Sequence, residues 1–399
     1  MNMNKIAFNI LTVPVLAVLA VSCGGQDEIY KEWVKKGGYD YPAKAINLSS
    51  VIGYQNVIVN WEKPMDPAVR TATLFWDNYA KSIDVDYADY PDGKVSIEVG
   101  ELEDRSYTFD IVNYDNSGNK SLAAEITVSP YGDGWMVSRS ERTVSSARME
   151  GRDAKIVMSK ATDEMVATRF RYKNLQDEWV ECETILKPGE NEVTFKDAMK
   201  GKRFEYSSSF CPKAGKDTVW RTWTKSVDGI SYQIDGSRWN VTATNGQYFG
   251  INTPEKIFDG RYDRPAYSWH SSKSDNNKQA FPKILSVDTQ TSAGEEFAFT
   301  GFTFCENNTA ASLRYIKDYT IYVGSSYYNP DDADYLKNFG IPFIGGTLST
   351  SADQYSVNVT QGATGRYMAI VFKNSWNADD GFIDLWEFIP YGYIPSLAD

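Results

Sequence analysis

The chain has 399 residues and a formal charge of −12 at pH 7, with 53 acidic against 41 basic side chains. Because no block of basic residues interrupts the acidic ones, the sequence excludes the electrostatic footprint that nucleic acid or anionic lipid requires. A chain of this length exceeds what one hydrophobic core usually supports, so we expect two or three domains. Aromatic residues make up 14% of the chain, a share that suits both β-sheets and sugar-stacking surfaces.

Residues 1–22 have the pattern of an export signal. Lys5 gives the start a positive charge, an apolar run extends from Ile6 to Val21, and small residues lead to Cys23. As a helix this run would be about 24 Å long, short of the roughly 30 Å of a bilayer core. The pattern therefore predicts a cleaved signal peptide and not a membrane span.

The position of Cys23 directly after this signal resembles a bacterial lipoprotein box, in which the chain is cut before the cysteine and the cysteine is acylated. The resemblance implies palmitate or a similar chain on Cys23 and an anchor in the outer membrane. The short acidic stretch Gln26–Glu28 resembles the signal that sends Bacteroidetes lipoproteins to the cell surface. An ordinary secretory signal followed by an incidental cysteine is the alternative.

Residues 23–44 form the anchor and a leader, and from Ala45 the sequence changes to short alternating runs separated by turn residues. This spacing predicts an antiparallel β-sandwich over residues 45–133. The same order of runs recurs about a hundred residues later and predicts a second sandwich over residues 134–228. The predicted strands of the first sandwich are Val57–Trp61, Thr71–Trp76, Val95–Val99, Ser106–Asn113 and Leu122–Val128.

The two repeats resemble tandem fibronectin type III domains. In Tyr41-Pro42, Tyr107–Phe109 and Tyr131–Asp133 they also resemble a family of unknown function that occurs in Bacteroidetes surface lipoproteins. This second resemblance extends from about Glu28 to Lys225. It implies a location and an architecture, and no chemistry comes with it.

The last segment, residues 229–399, has turn-rich stretches between its predicted strands. Its landmarks are Phe258-Asp259-Gly260, Trp269-His270, Tyr319–Val323, Arg366-Tyr367 and Leu385–Phe388. In this order they resemble a discoidin-like domain, also called coagulation factor type C or galactose-binding-like. The resemblance implies a β jelly roll, so the whole chain is predicted to be all-β, with two fibronectin-III-like sandwiches followed by a discoidin-like jelly roll.

The discoidin resemblance also implies a structural Ca²⁺ near the Asp-Gly turn, closed by a late glutamate. Asp259 and Glu387 occupy those positions, and Ca²⁺ prefers carboxylate and carbonyl oxygens. The loop from Asp259 to Trp269 is longer than the family's loop and has Tyr267 where a threonine hydroxyl is expected. The alternative is that Asp259 only stabilises its own turn.

The same resemblance places ligands among the loops at one end of the jelly roll. We predict Trp376 as the principal contact, because a tryptophan between polar loop residues has no strand face to bury against. Packing within the loop is the alternative for Trp376. His270 fits a structural imidazole better than a ligand contact. The other candidate ligand-binding residues are Asn374, Asn377, Tyr248, Phe249, Arg261 and Arg264.

Catalytic motifs are scarce in this sequence. The chain has one histidine, which rules out an HExxH zinc site, and neither a GxSxG elbow nor a glycine-rich phosphate loop occurs. We therefore predict a binding protein and not an enzyme. Scattered carboxylates keep a glycosidase or lyase accessory as a weaker alternative.

Three cysteines follow the anchor. Cys182 and Cys211 both lie in the second repeat, where export permits a disulfide that the sequence alone does not establish. Cys305 follows an apolar run and is expected to be a buried thiol.

Together these patterns predict a surface-exposed outer-membrane lipoprotein whose two sandwiches hold a glycan-binding module away from the membrane. Its partners would be an oligo- or polysaccharide, the membrane through its lipid, and other outer-membrane proteins of a polysaccharide-utilization system. The alternative is an adhesion or assembly protein that binds a protein partner through the same loops or through sheet edges. A concave aromatic and polar site favours sugar, whereas a flat apolar patch favours protein.

If Cys23 carries a lipid, the protein will partition with membranes and incorporate labelled fatty acid, because the acyl chain supplies apolar area that this acidic chain lacks. The variant Cys23→Ala should lose both properties or remain unprocessed, whereas Cys211→Ala should keep them. Membrane fractionation and fatty-acid labelling measure the outcome. Undiminished membrane association of Cys23→Ala would refute the lipoprotein prediction.

Overall fold

The computed structural model describes residues 41–244, 251–261, 268–271, 281–306, 315–349, 353–376 and 383–399. Cys23 lies outside the described residues. Within them the chain is nearly all β, as predicted. The chain divides into two compact units, one ending at Pro130 and the other beginning at Tyr131. Among the described residues, no helix is long and apolar enough to cross a bilayer.

The first unit contains one sandwich. A three-stranded sheet has the order β1-β2-β5, and a four-stranded sheet has the order β4-β3-β6-β7, all antiparallel. All five predicted strands are present, together with two that the sequence did not reveal. The strands are β1 (Ile46–Ile52), β2 (Val57–Glu62), β3 (Val69–Trp76), β4 (Lys81–Asp86), β5 (Lys94–Val99), β6 (Tyr107–Asp115) and β7 (Ala124–Val128).

The second unit begins with the second sandwich, after a short helix Asp133–Val137. Its sheets have the orders β12-β9-β8 and β11-β10-β13-β14, and β15 also pairs with β13. The strands are β8 (Val144–Glu150), β9 (Asp153–Met158), β10 (Met165–Lys173), β11 (Trp179–Glu181), β12 (Glu192–Phe195), β13 (Glu205–Phe210), β14 (Val219–Trp220) and β15 (Thr224–Lys225).

The jelly roll follows in the same unit. One sheet has the order β16-β25-β20-β23, with β18 also on β25, and the other has the order β17-β19-β24-β21-β22. The strands are β16 (Tyr232–Gln233), β17 (Asn240–Ala243), β18 (Trp269–His270), β19 (Lys283–Asp288), β20 (Phe297–Glu306), β21 (Ile316–Gly324), β22 (Ile344–Thr347), β23 (Gln354–Gly365), β24 (Tyr367–Ser375) and β25 (Asp384–Tyr393). A 3₁₀ turn covers Pro254–Phe258, and a short helix covers Tyr335–Phe339.

Aromatic side chains fill the jelly-roll core between its two sheets. Phe302 stacks on Phe388 with ring centroids 5.0 Å apart, and Phe304 meets the edge of the same ring at 5.1 Å. Trp269 is fully buried and lies 5.8 Å from Phe372 of the opposite sheet. Such rings dominate core energetics because each buries a large apolar area. The loops at both ends of the roll are therefore attached to a closely packed scaffold.

Polar side chains join the second sandwich to the jelly roll. The Arg148 guanidinium lies 3.6 Å from the centroid of the Tyr391 ring and also donates a hydrogen bond to Asn358. A second contact joins Asp228 of the second sandwich to Tyr393 of the jelly roll, whose hydroxyl donates a hydrogen bond to the Asp228 carboxylate at 2.9 Å. Asp228 is the last residue of the predicted second sandwich. The predicted boundary between residues 228 and 229 therefore lies where side chains of the second sandwich contact the jelly roll.

The outer face of the five-stranded sheet in the second sandwich alternates tryptophan rings with arginine side chains. The Arg169 guanidinium lies 4.5 Å from the Trp220 centroid and 4.6 Å from the Trp223 centroid. The Arg171 guanidinium lies 4.7 Å from Trp223 and 5.4 Å from Trp179. Trp179, at the end of this row, is 43% exposed. At exposed sites each such contact contributes about 0.5–1 kcal/mol.

The cysteines of the second repeat are free thiols. The Cys182 thiol donates to the Thr194 carbonyl at 3.8 Å, and the Cys211 thiol donates to the Gly215 carbonyl at 3.3 Å. No bridge joins the two, which answers the question that the sequence left open. Cys305 is buried in β20, as predicted.

A chain of buried hydrogen bonds crosses the core of the first sandwich. Trp61 Nε1 donates to the Tyr87 hydroxyl at 3.0 Å, and that hydroxyl donates to Asn113 Oδ1 at 2.8 Å. Asn113 Nδ2 then donates to the Ala43 carbonyl at 2.8 Å. Because a buried polar atom without a partner is costly, Tyr87 connects groups that would otherwise be unsatisfied.

We expect Tyr87→Phe to lower the free energy of unfolding of the first sandwich by about 1–3 kcal/mol, because it leaves the Trp61 donor and the Asn113 acceptor without their shared partner. Tyr90→Phe is the matched control, since Tyr90 packs at the edge of the same core. Urea unfolding of both variants measures the difference. Equal stabilities would show that the hydroxyl contributes nothing.

Candidate functional site

Trp376 follows directly after β24, at the end of the jelly roll where the sequence predicted ligand contacts. Its Nε1 donates to the Leu348 carbonyl at 3.0 Å, and its backbone N–H donates to the Tyr315 carbonyl at 3.0 Å. The Lys317 ammonium lies over the ring, 4.7 Å from its centroid. The side chain nevertheless remains 42% exposed. Trp376 is thus held in place and also presented to solvent.

Asn374 supports this end of the sheet from within. Its Oδ1 accepts a hydrogen bond from the Asp318 backbone N–H at 2.9 Å. The Thr347 hydroxyl, followed by the Asn374 side chain, lowers the pKa of the Asp318 carboxyl through hydrogen bonds. Asn374 therefore positions the strand ends beside Trp376. Of the other predicted contacts, Tyr248, Phe249, Arg264 and Asn377 lie outside the described residues.

Arg261 lies on the turn that contains the predicted calcium ligand Asp259. Gly260, at φ +73°, adopts the left-handed conformation that this turn requires. The Arg261 backbone N–H donates to Asp259 Oδ1 at 2.9 Å, and Lys256 Nζ lies 3.7 Å from Asp259 Oδ2. Asp259 thus stabilises its own turn, as the alternative interpretation expects. The Arg261 side chain is exposed.

Glu387 lies beside this turn, on the wall of a cavity of about 400 Å³ that Asp235 and Asp259 also line. Its Oε1 accepts a hydrogen bond from the Gly260 N–H at 3.2 Å, and its Oε2 is buried without a hydrogen-bond partner among the described residues. Burial raises the pKa of Glu387 to about 8, and the negative charge of Asp259 adds to the increase. An uncompensated carboxylate in this position favours a bound cation or a proton.

The two carboxylates supply part of what Ca²⁺ needs. Ca²⁺ takes six to eight oxygen ligands. Within the described parts of the chain, no group of three His, Cys, Asp or Glu side chains is placed to hold a metal ion. A Ca²⁺ held by Asp259 and Glu387 would therefore need backbone carbonyls or water as its remaining ligands. The unpartnered buried oxygen of Glu387 is the observation that fits such an ion.

His270 and its neighbours belong to the core. His270 in β18 pairs with Asp384 in β25, and its Nε2 lies 3.6 Å from Asp384 Oδ2. Both side chains are buried. Burial also raises the pKa of the nearby Glu306 to about 8, and Asp384 contributes to the increase. The position of His270 agrees with a structural role for its imidazole.

A cavity of about 400 Å³ lies at the joint between the second sandwich and the jelly roll. Its charged lining residues are Arg148 and Asp228. Arg148 is engaged by Tyr391 and Asn358, and Asp228 accepts from the Tyr393 hydroxyl at 2.9 Å and the Gly362 N–H at 3.3 Å. These groups hold the two parts together. We therefore assign this cavity to the joint.

The structure also shows an aromatic hollow that the sequence analysis missed. It lies on the outer face of the sheet β17-β19-β24-β21-β22, at the opposite end of β24 from Trp376, and has a volume of about 250 Å³. Tyr327, Tyr328 and Tyr367 line it together with Asn240 and Asp331. The run Tyr327-Tyr328-Asn329-Pro330, two tyrosines entering a turn, is the sequence signal that could have indicated it.

Residues 23–217 match a family model described as a domain of unknown function (DUF4998). The match covers just under half of the chain and overlaps the predicted resemblance between about Glu28 and Lys225. It supplies no chemistry. No curated protein matches this chain.

Several solved structures are similar to this chain at low identity. A family 32 carbohydrate-binding module of C. perfringens NanJ, solved in complex with galactose, is 17% identical, covers 41% of this chain and 99% of its own, and gives a TM-score of 0.31. A fucolectin from striped bass (Morone saxatilis) serum is 11% identical, with coverages of 74% and 86% and a TM-score of 0.32. A SusE-like protein is 10% identical, with coverages of 87% and 97% and a TM-score of 0.31. Such values assign no ligand to this chain.

If Asp259 and Glu387 hold Ca²⁺, added Ca²⁺ will raise the melting temperature of the protein. An ion that binds only the folded state stabilises it by about 2.7 kcal/mol at a hundred times its dissociation constant. Glu387→Gln should abolish this increase. Calorimetry with Ca²⁺ and with a chelator measures it.

Glu306→Gln is the matched control for this experiment. Glu306 is likewise buried, its pKa is also raised to about 8, and its Oε1 accepts a backbone hydrogen bond from Ile316 at 2.6 Å. This control should keep the response to Ca²⁺. An equal response in both variants, or none in the parent protein, would contradict the calcium site.

Proposed function

We propose that this protein is a surface-exposed outer-membrane lipoprotein that captures glycans through its jelly-roll module. The observation that carries the proposal is Trp376, a tryptophan fixed by two hydrogen bonds to neighbouring carbonyls and yet 42% exposed. An exposed aromatic ring that is already ordered loses little conformational entropy when a ligand stacks on it. The lipid anchor on Cys23 rests on the sequence alone.

The chemistry around Trp376 suits a sugar. The apolar C–H face of a sugar ring stacks on an indole, and the hydroxyl groups need hydrogen-bonding partners at the rim. The Lys317 ammonium lies over one face of the Trp376 ring, 4.7 Å from its centroid, so a sugar would stack on the other face and the ammonium would supply a donor beside it. Lys317 lies in β21 and Trp376 directly follows β24. Because these two strands pair, both side chains are attached to regular backbone.

Binding is better supported than catalysis in this module. The histidine of the chain is buried in the core beside Asp384, so its imidazole is not placed to act on a ligand at the loops. Glu306 is buried as well, so its carboxyl is also out of reach of a ligand at the surface. A general acid or base must come within hydrogen-bond reach of its substrate. These positions support a module that holds its ligand unchanged.

A protein partner is the second candidate, and the second sandwich is the part that favours it. Its row of Trp220, Arg169, Trp223, Arg171 and Trp179 ends in a ring that is 43% exposed. Tryptophan and arginine are the residues most enriched at the energetic centres of protein interfaces. This row of tryptophan and arginine side chains lies on the second sandwich and Trp376 lies on the jelly roll, so the two functions can be tested separately.

Trp376→Ala should weaken binding of a glycan identified on an array by at least tenfold, because truncation of a central aromatic anchor costs about 2 kcal/mol or more, roughly thirtyfold in affinity. Its melting temperature should stay nearly unchanged. Arg261→Ala should have a smaller effect, since a hydrogen bond to a neutral hydroxyl contributes about 0.5–1.5 kcal/mol. Isothermal titration measures the affinities.

Trp179→Ala is the matched control, because Trp179 is a tryptophan of nearly equal exposure on the second sandwich. It should leave glycan affinity unchanged. A loss of affinity in the control and not in Trp376→Ala would move the site to the second sandwich. A loss of several kcal/mol in the stability of Trp376→Ala would assign Trp376 to packing.

A further inference from the structure

The aromatic hollow at the far end of the jelly roll is built by one sheet and the segment that crosses its outer face. Asn240 of β17 pairs with Asp288 of β19, and Asp288 pairs in turn with Tyr367 at the start of β24. The segment after β21 brings Tyr327 over this corner. Its short helix supplies Phe339 to the same hollow. The sheet thus forms the floor and the segment forms the wall.

The wall is aromatic, and one of its rings is open to solvent. Tyr327 is 65% exposed, and its ring meets the Tyr367 ring edge to face with centroids 5.7 Å apart. Tyr328 is supported from below, since its ring lies 5.1 Å from Phe339, which itself packs 5.3 Å from the buried Tyr335. Tyr327 is therefore a large ring held at a surface with little covering it, which is the arrangement that stacks on a ligand.

The ion pair between Asp288 and Arg366 holds the sheet at the floor of the hollow. Asp288 accepts two hydrogen bonds from Arg366, at 2.7 Å and 2.9 Å, and two more from Gln290, at 2.9 Å and 3.0 Å. The hydrogen bond from Arg366 lowers the pKa of the Asp288 carboxyl. A carboxylate has about four acceptor sites, so Asp288 is fully used and serves to hold the corner rigid.

The polar groups left for a ligand include two side-chain amides and a carboxylate. Asn240 and Asp331 are both exposed, and neither side chain makes a hydrogen bond to another described residue. Asn329 uses its Oδ1 to accept from the Asp331 N–H at 3.2 Å, which leaves its amide hydrogens free of that bond. An amide can donate and accept, and a carboxylate can only accept. Together they match vicinal hydroxyls, each of which does both.

The charge of the lining disfavours an acidic ligand. Because Arg366 neutralises Asp288, the uncompensated carboxylate of the hollow is Asp331, and no lysine or arginine is among the described lining residues. An anionic sugar would meet like charge here, which costs binding free energy. The volume of about 250 Å³ is below the roughly 300–1,000 Å³ of pockets for drug-sized ligands, which suits a single sugar residue.

We propose that this hollow is a second carbohydrate site, one that takes a neutral sugar residue stacked on Tyr327 with its hydroxyls on Asn240 and Asp331. The ligand of this hollow belongs to the same class as the ligand in the proposed function, a carbohydrate. The hollow does not use Trp376. Trp376 follows Tyr367 by nine residues along and just past β24, so the two sites lie about 30 Å apart. One polysaccharide chain or two neighbouring chains can then engage both sites, which raises overall avidity without any new contact.

The experiment isolates the hollow in a Trp376→Ala background. Neutral oligosaccharides of galactose, glucose, mannose and fucose are titrated against this variant by isothermal calorimetry, with oligogalacturonate as the acidic counterpart. We expect one or more of the neutral probes to bind and oligogalacturonate not to bind. Adding Tyr327→Ala should weaken the remaining binding at least tenfold, and adding Asn240→Ala should weaken it less. Tyr79→Ala, which removes a tyrosine that is 54% exposed in the first sandwich, is the matched control.

The outcomes separate this inference from the proposed function. If the parent protein binds a neutral glycan and Trp376→Ala binds none, the second site is refuted and the first stands. If Trp376→Ala binds but Tyr327→Ala changes nothing, the remaining site lies elsewhere and the assignment to the hollow is wrong. If the parent protein binds no probe, both proposals fail. Preferential binding of oligogalacturonate would overturn the assignment to neutral sugars.

Discussion

The pairing of β24 in the middle of its sheet is the constraint on which both candidate sites depend. The strand is hydrogen-bonded to β19 on one side and to β21 on the other. Met368, Ile370 and Phe372 point into the core and are fully buried. A slip of one residue in register would turn these side chains to solvent. The register therefore fixes Tyr367 at one end of the strand and places Trp376 just beyond the other.

The joint between the second sandwich and the jelly roll depends on polar contacts. Arg148 spans it by lying on the Tyr391 ring and donating to Asn358, and Asp228 accepts from Tyr393. Groups of this kind are directional, whereas apolar contacts allow sliding. Within this unit the jelly roll is thus held in one orientation against the second sandwich.

Strand prediction succeeded where alternate residues are fully buried and failed where most residues stay exposed or half-buried. In β2, Val57, Val59 and Trp61 are buried at every second position, and this period is visible in the sequence. The missed strands β1 and β4 are largely exposed. Across the two strands one residue is buried, Val85 of β4. They form edges of their sheets, but so do the predicted strands β5 and β7. The weak burial of β1 and β4 is what distinguishes them, because a strand that buries few side chains has little apolar pattern in its sequence.

The sequence by itself determined the all-β class and the two repeats, because alternation is a local property, and it singled out Trp376 as a loop tryptophan among polar neighbours without deciding between ligand contact and packing. It also suggested the Asp259 turn, since an Asp-Gly step has its own conformational preference. Only the tertiary structure decided that Asn374 is used within the sheet, that Glu387 has an oxygen left unpartnered among the described residues, and that Tyr327 and Tyr367, forty residues apart, share one hollow. These facts depend on which strands pair and in which register, and long-range pairing in space has no signature in a short stretch of chain.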